Sequence, residues 1–224
     1  RWIAIQYEVI TPIGERGQAI HVLSTGTWEV LYQSIVGYDT KLFIDDQGKW
    51  LALRDGVVLR LIDTSKWQEE LVLEGHDDDI VAVQLRADLN LVVTGGDDYT
   101  ARVWDMKSGY PLSIVTGHKA DVNDVAISSD GNRIITVDED GIPRMWDAAT
   151  GRSWSTLRAP NRLVGQPTFV DNGRKVIVGG TGLAVGVFVV DFPDLLKLAE
   201  SRTTRSLSCD EEVRYLQAER DCGY

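Results

Sequence analysis

An internal repeat limits the fold of this 224-residue chain more than any other feature. Gly75-His76 is followed by Trp104-Asp105, and Gly117-His118 by Trp146-Asp147, with 42 residues from each His to the next and from each Trp to the next. Both copies also place Asp four residues after a Thr, ahead of the Trp. A period of about 40–45 residues with these residue types predicts one four-stranded antiparallel sheet per repeat.

The sequence between these markers has the composition of strands and turns. In the first copy, apolar runs of strand length alternate with turn residues such as Gly95-Gly96, and they cover 80–83, 91–93, 101–104 and 112–115. β-branched runs bounded by Gly, Asp and Ser predict strands joined by tight turns.

The repeat resembles the WD-repeat β-propeller family in its Gly-His, Thr-x-x-x-Asp and Trp-Asp motifs. The resemblance implies a buried hydrogen-bonded chain of four side chains in each blade. The two sets are His76, Thr94, Asp98 and Trp104, then His118, Thr136, Asp140 and Trp146. Donors and acceptors alternate along such a chain, so its polar groups can be buried without the usual cost. We expect these residues to be structural.

Weaker copies flank the two strong ones. Counting by the repeat length predicts an all-β propeller over 1–191 with about five units, at 1–37, 38–74, 75–116, 117–158 and 159–191. In the last unit we expect Val190-Asp191 to occupy the Trp-Asp place. Closed propellers of this family most often have seven blades. We therefore expect upstream sequence or a second chain to complete the ring, because an open sheet edge is a liability.

Residues 192–224 change to a helical period. Leu195, Leu196, Leu198 and Ala199 form one apolar stripe, and a second stripe of Cys209, Val213 and Leu216 follows a capping box at Ser208 and Glu211. This pattern predicts two short helices that pack on the propeller.

The same tail resembles the end of prokaryotic multidomain WD-repeat signalling proteins, in which a STAND NTPase, TIR or caspase-like protease domain precedes the propeller. The matching positions are 204–207, 211–212, 214–216 and Cys222. In those proteins a Cys often follows the paired Glu directly, whereas this chain has Val213 there, so no cysteine pairing is carried over.

Charge and composition narrow the classes of partner. The net charge of −11 argues against a nucleic acid, because phosphate binding needs a basic face. No apolar run is long enough to span a membrane, and two cysteines without a visible signal sequence favour the cytoplasm.

No residue set has catalytic or metal-binding spacing. Two of the three His belong to the repeat, and His21 has no neighbouring base or thiol. The glycine-rich run 179–182 lacks the Lys of a phosphate loop, and 138–141 lacks the length of a calcium loop. We expect no enzyme activity, no cofactor and no metal.

The loops after Gly-His and before the turn Asp are acidic. In the WD family these loops usually carry the partner-binding face. The resulting candidates are Asp77, Asp78, Asp79, Asp97, Asp121, Asn123, Asp124, Asp138 and Glu139. A rim of this charge would steer a basic protein or peptide towards it. The alternative is that these carboxylates only keep the loops solvated.

Two functions remain open at this point. The first is a non-catalytic interaction module that acts as sensor or regulatory propeller of a prokaryotic signalling or defence protein, as the tail resemblance implies. The alternative is a general scaffold subunit for multiprotein assembly, or a propeller fragment completed by or cleaved from a second chain.

Overall fold

A computed structural model describes residues 1–10, 16–37, 39–158, 162–163, 165–180 and 185–191. The expected helical tail at 192–224 lies outside the described residues, as do residues 181–184 of the glycine-rich stretch.

The described residues form five antiparallel sheets, numbered here in chain order. Sheet 1 contains β1 (Trp2–Ile10), β2 (Arg16–Ser24) and β3 (Val30–Val36). Sheet 2 contains β4 (Lys41–Ile44), β5 (Trp50–Asp55), β6 (Val58–Asp63) and β7 (Gln68–Leu73). Sheet 3 contains β8 (Ile80–Arg86), β9 (Leu91–Gly96), β10 (Ala101–Asp105) and β11 (Pro111–Val115). Sheet 4 contains β12 (Val122–Ile127), β13 (Arg133–Asp138), β14 (Pro143–Asp147) and β15 (Ser153–Thr156). Sheet 5 contains β16 (Thr168–Val170), β17 (Lys175–Gly179) and β18 (Val185–Val189).

Every sheet is a meander in which each strand pairs with the next one along the chain. The Asp of the Trp-Asp pair caps the turn before the outer strand. The Asp105 carboxylate accepts the Lys107 backbone N–H at 2.9 Å, and the Asp147 carboxylate accepts that of Thr150 at 2.8 Å. Gly109 and Gly151 end these turns with φ of 75° and 68°, a left-handed conformation that favours glycine.

The sheets pack face to face in sequence order. Four hydrophobic clusters join sheet 1 to 2, 2 to 3, 3 to 4 and 4 to 5. Successive residues of a strand point to opposite faces of the sheet and so pack against different neighbouring sheets. Val92 packs in the cluster shared with sheet 2, and Val93 packs in the cluster shared with sheet 4. The first strands of sheets 2 to 5 contact one another in order and form the inner side of the arc. The fold is therefore all-β over the described residues, with four-stranded sheets of the kind that the repeat predicted.

The position equivalent to Trp in sheet 5 differs from the prediction. Trp104 pairs with Val92 and Trp146 with Ile134, and the residue that pairs in the same way in sheet 5 is Phe188, with Val176. Phe188-Val189 therefore takes the Trp-Asp place, and the expectation for Val190-Asp191 was wrong by two residues. The pairing is counted from the β17–β18 hairpin, and no Trp in the sequence marks it.

Candidate functional site

The polar chain of sheet 3 runs from the loop before β8 across to β10. His76 Nδ1 lies 2.9 Å from Asp98 Oδ2, and His76 Nε2 lies 2.7 Å from Thr94 Oγ1. Trp104 Nε1 donates to the same Thr94 hydroxyl at 2.9 Å. A carboxylate only accepts, so His76 carries its proton on Nδ1, and Thr94 donates to Nε2 while it accepts from Trp104. Each polar group in this buried chain has a partner.

Sheet 4 repeats the arrangement with one change. His118 Nε2 lies 2.9 Å from Thr136 Oγ1, which accepts from Trp146 Nε1 at 2.8 Å. However, the carboxylate on His118 Nδ1 is that of Asp138, at 2.8 Å. The sequence had predicted Asp140 for this role.

A glycine in sheet 3 explains the difference. Gly96 holds the place that Asp138 holds in sheet 4, since both residues close the second strand of their sheet. A Cβ on Gly96 would lie 2.8 Å from His76 Nδ1, so the space beside that nitrogen is open only because glycine is there. Asp98 fills the space in sheet 3. In sheet 4 the Asp138 side chain already occupies it.

Asp140 instead forms an ion pair at the surface end of the same network. Arg144 Nη2 donates to Asp140 Oδ2, and Arg144 Nη1 donates to Asp138 Oδ2 at 2.7 Å. Burial by itself would raise the pKa of Asp140, but the hydrogen bonds from Arg144 and its neighbours outweigh it and lower that pKa to about 2. Arg144 therefore links both carboxylates.

The two repeat histidines have no free nitrogen for chemistry. Burial lowers the pKa of His76 and of His118, although the partner carboxylates act in the opposite direction. Both imidazoles are therefore neutral near pH 7, with both nitrogens engaged.

The predicted partner-binding residues divide by exposure. Asp77, Asp78, Asn123 and Glu139 are exposed, and Asp79, Asp97, Asp121 and Asp124 are half-buried. Asp138 is only 2% exposed, because it points into the polar chain of sheet 4. Asp138 is therefore withdrawn from the partner-binding set.

The half-buried carboxylates of sheets 3 and 4 lie at one end of the inner strands. The loops there are joined in pairs, with the Asp97 N–H donating to the Asp79 carbonyl at 2.9 Å and the Glu139 N–H to the Asp121 carbonyl at 3.2 Å. Burial raises the pKa of Asp97, and the charges of Asp121, Asp78 and Asp79 raise it further. We call Asp78, Asp79, Asp97 and Asp121 the acidic rim.

Asp124 is related to the rim but has a different environment. It lies on β12, one strand residue beyond the exposed Asn123. Burial raises its pKa to about 6, with no neighbouring charge contributing.

One charged residue near the rim was not identified from the sequence. Arg54 on β5 is 1% exposed, and its Nη1 donates to Asp39 Oδ2 at 3.1 Å. Its charge lowers the pKa of Asp97 against the rim carboxylates. The available signal was a cation directly after the apolar run 50–53 and within the same strand, which indicates a buried charge with a local partner.

The described residues contain no group of three or more His, Cys, Asp or Glu side chains that could hold a metal ion. Within the same ranges, no helix has the length and apolar character needed to cross a membrane.

Comparisons with known proteins bear on the repeat. The family model "WD domain, G-beta repeat" matches residues 67–105 and 109–147. Each match runs from the turn or strand at the outer edge of one sheet to the third strand of the next. No curated protein matches the chain.

A solved structure, "Crystal structure of the computationally designed Ika4 protein", superposes with a TM-score of 0.61 at 22% sequence identity. The alignment covers 73% of this chain and 99% of that chain, and at this identity it shows a shared fold alone. WD40 domains are generally non-catalytic modules that bind proteins or peptides. The chain therefore carries two WD40 repeats in an all-β fold of antiparallel sheets, which supports a WD-repeat family and suggests a protein-interaction module.

Proposed function

We propose that this chain is a non-catalytic interaction module whose acidic rim binds a basic segment of a protein or peptide partner. The observation that carries the proposal is the grouping of acidic loops at one end of the inner strands, where the Asp97 N–H donates to the Asp79 carbonyl. The charges of Asp121, Asp78 and Asp79 lie close enough to raise the pKa of Asp97. Carboxylates gathered in this way repel each other, and a cation that enters among them relieves that repulsion. Exposed Asp77 and Glu139 extend the same charge around the rim.

The rest of the site supports binding over chemistry. Both histidines of the repeat have their nitrogens committed to Thr and Asp side chains, so neither is available as a general base. The polar chains hold the sheets rigid behind the loops, and a rigid scaffold with variable loops is suited to recognition.

The binding test uses a fluorescently labelled octa-arginine peptide, with an octa-glutamate peptide as its control. Affinity is measured by anisotropy at two salt concentrations for the wild type and for Asp97→Asn with Asp121→Asn. We expect the double variant to bind octa-arginine about four- to twentyfold more weakly, since an exposed or half-exposed ion pair contributes up to ~1 kcal/mol. We also expect the wild-type affinity to fall as salt rises.

Asp46→Asn is the matched control, because Asp46 is exposed in the β4–β5 turn and is outside the rim set. If Asp46→Asn weakens the peptide as much as the rim variant does, only overall charge is acting and the rim has no special role.

The biological setting that we favour is a sensor or regulatory propeller of a prokaryotic signalling or defence protein in the cytoplasm. The support is the resemblance of 204–207, 211–212 and 214–216 to the tails of such proteins. Binding at the rim would then release or assemble an attached effector domain. A general scaffold subunit, or a propeller completed by a second chain, is the alternative.

The intact mass of the native protein, with its co-purifying chains identified, separates these settings. A single polypeptide with an added NTPase, TIR or protease domain is expected for the sensor. A mass of 24.9 kDa with a second chain bound would instead indicate completion in trans.

A further inference from the structure

Arg54 is a buried cation that uses few of its hydrogen-bond donors. The residue is 1% exposed, and its Nη1 donates to Asp39 Oδ2 at 3.1 Å. Its Nε and Nη2 are also buried, and they have no hydrogen-bond partner among the described residues. A guanidinium carries five N–H donors, and buried donors in proteins are nearly always paired. The two unpaired nitrogens therefore indicate a place for an added acceptor.

The repeat itself does not require a cation at this position. By strand pairing, the equivalents of Arg54 are Gly95 in sheet 3 and Val137 in sheet 4, and both sheets form without a charge there. A Cβ on Gly95 would lie 2.6 Å from a backbone oxygen of sheet 4, so a long side chain has no room between sheets 3 and 4. Burying a guanidinium is costly. Arg54 therefore has a role that is specific to the junction of sheets 2 and 3.

This junction adjoins the acidic rim. The β5–β6 turn contacts the loop before β8, since the Gly56 carbonyl accepts the Ile80 N–H at 3.0 Å. A Cβ on Gly56 would lie 3.3 Å from a carboxylate oxygen of Asp79, which belongs to the rim. The charge of Arg54 also lowers the pKa of Asp97. A buried cation with free donors thus lies beside the exposed carboxylates of the rim.

Asp39 is a weakly held partner for this cation. Its side chain is 75% exposed and makes one hydrogen bond to Arg54. An ion pair with an exposed member contributes little to stability. A carboxylate that approaches a guanidinium in the bidentate geometry makes two parallel hydrogen bonds. Such a carboxylate competes well with Asp39 for Arg54.

We propose that Arg54 binds a carboxylate of the same partner whose cation binds at the acidic rim, so that the preferred partner segment carries an acidic residue beside a basic one. The inference rests on the proposed function, because a cation in the rim offsets the repulsion that the rim carboxylates exert on an entering anion. Asp39 holds the anion position in the free protein. The rim and Arg54 together form a receptor for a pair of opposite charges.

Two labelled octapeptides test this pairing by anisotropy, one of alternating Arg and Glu and the other of alternating Arg and Gln. Arg54→Met keeps a long side chain and removes the donors. We expect it to weaken binding of the Arg-Glu peptide about fivefold, since a hydrogen bond to a charged group is lost. The Arg-Gln peptide should bind slightly more tightly, because a like charge is gone. A parallel loss for both peptides, or no change for either, would overturn the proposal.

Arg60→Met is the matched control for net charge. Arg60 lies in β6 of the same sheet, is partly exposed and pairs with Glu69 of the outer strand. We expect this variant to leave the ratio of the two peptide affinities unchanged. If it changes the ratio as much as Arg54→Met does, the net charge of the protein is responsible and Arg54 is no carboxylate site.

Asp39→Ala tests the same site from an exposed position, so its result does not depend on how Arg54→Met folds. We expect the Arg-Glu peptide to bind about threefold more tightly, because the competing carboxylate is removed from a partly exposed ion pair. Unchanged or weaker binding of this peptide would overturn the proposal.

The rim variant Asp97→Asn with Asp121→Asn separates this inference from the proposed function. It should weaken binding of both peptides, because both carry the cations that the rim binds. If neither peptide responds to it, the proposed function itself fails. If both respond but Arg54→Met does not distinguish them, the role of Arg54 alone is refuted.

Discussion

Replacing Thr136 by Val tests the polar chain of sheet 4 most directly. Thr136 is fully buried, and its hydroxyl accepts from Trp146 Nε1 at 2.8 Å and lies 2.9 Å from His118 Nε2. Valine keeps the β-branched shape but removes both hydrogen bonds. The indole N–H and the imidazole nitrogen are then left in a dry interior without a partner.

The cost follows from these two stranded groups. A buried polar group that loses its partner costs about 1–3 kcal/mol. Two such groups cost about 4 kcal/mol, and burying a methyl group in place of the hydroxyl returns ~1 kcal/mol. We therefore expect a net loss of about 3 kcal/mol, a large part of a typical folding free energy of about 5–15 kcal/mol.

Urea unfolding followed by Trp fluorescence measures this loss. With an m-value of about 3 kcal/mol/M, the midpoint should fall by about 1 M urea with an unchanged slope. The control is Thr156→Val, which makes the same change at an exposed residue of β15. If both variants shift the midpoint equally, the hydroxyl of Thr136 has no special role and the reasoning fails.

Three further changes test the acidic network, the packing between sheets and the pH dependence. Asp138→Asn should lower the free energy of unfolding in urea by about 3 kcal/mol, because it uncouples a buried charge pair. Asp140→Asn at the surface should lower it by at most ~1 kcal/mol. Equal losses in the two variants would contradict the network described above. Gly95→Ala should lower the free energy of unfolding by about 1–3 kcal/mol, because the new Cβ would lie 2.6 Å from a backbone oxygen of sheet 4. Its control is Gly26→Ala, which has open space around the new Cβ and should be close to neutral in the same thermal or urea unfolding assay. Asp124→Asn should stabilise the fold at pH 8 by about 1 kcal/mol after allowance for solvent screening. This gain in stability should shrink as the pH falls from about 6 towards 4. A gain that is constant over this range would show that ionisation of this carboxyl is not the cause.

The sign of the Asp124 effect follows from its raised pKa. The folded state holds the proton up to a pH of about 6, and the unfolded chain releases it near 3.8. Above pH 6 the carboxylate is ionised in a half-buried place, which destabilises the fold. Asparagine removes that ionisation, so its benefit is largest at high pH.

The sequence predicted the elements of sheets 3 and 4 because their signals are local. Gly-His and Trp-Asp each lie at a strand end or turn whose chemistry depends on residues a few positions away. In the weaker repeats only the alternation of apolar runs with turn residues is present in the sequence. This alternation predicted their strands but not which residue would take the Trp position. Phe188 was missed for this reason, since pairing across a hairpin is set by the turn and not by a count from the previous Trp.

The sequence by itself therefore determined the repeat, the all-β class and the His, Thr and Trp side chains of the two buried polar chains. Which carboxylate reaches each histidine was decided only by the tertiary structure, because Asp138 and Asp140 are both acidic and lie two residues apart. The carboxylate that fits depends on whether a Cβ already occupies the space beside the imidazole, as it does at Asp138 and does not at Gly96. The burial of Arg54 and the exposure of Val187 were likewise decided by which sheet lies against each strand, and that relation joins residues far apart in the chain.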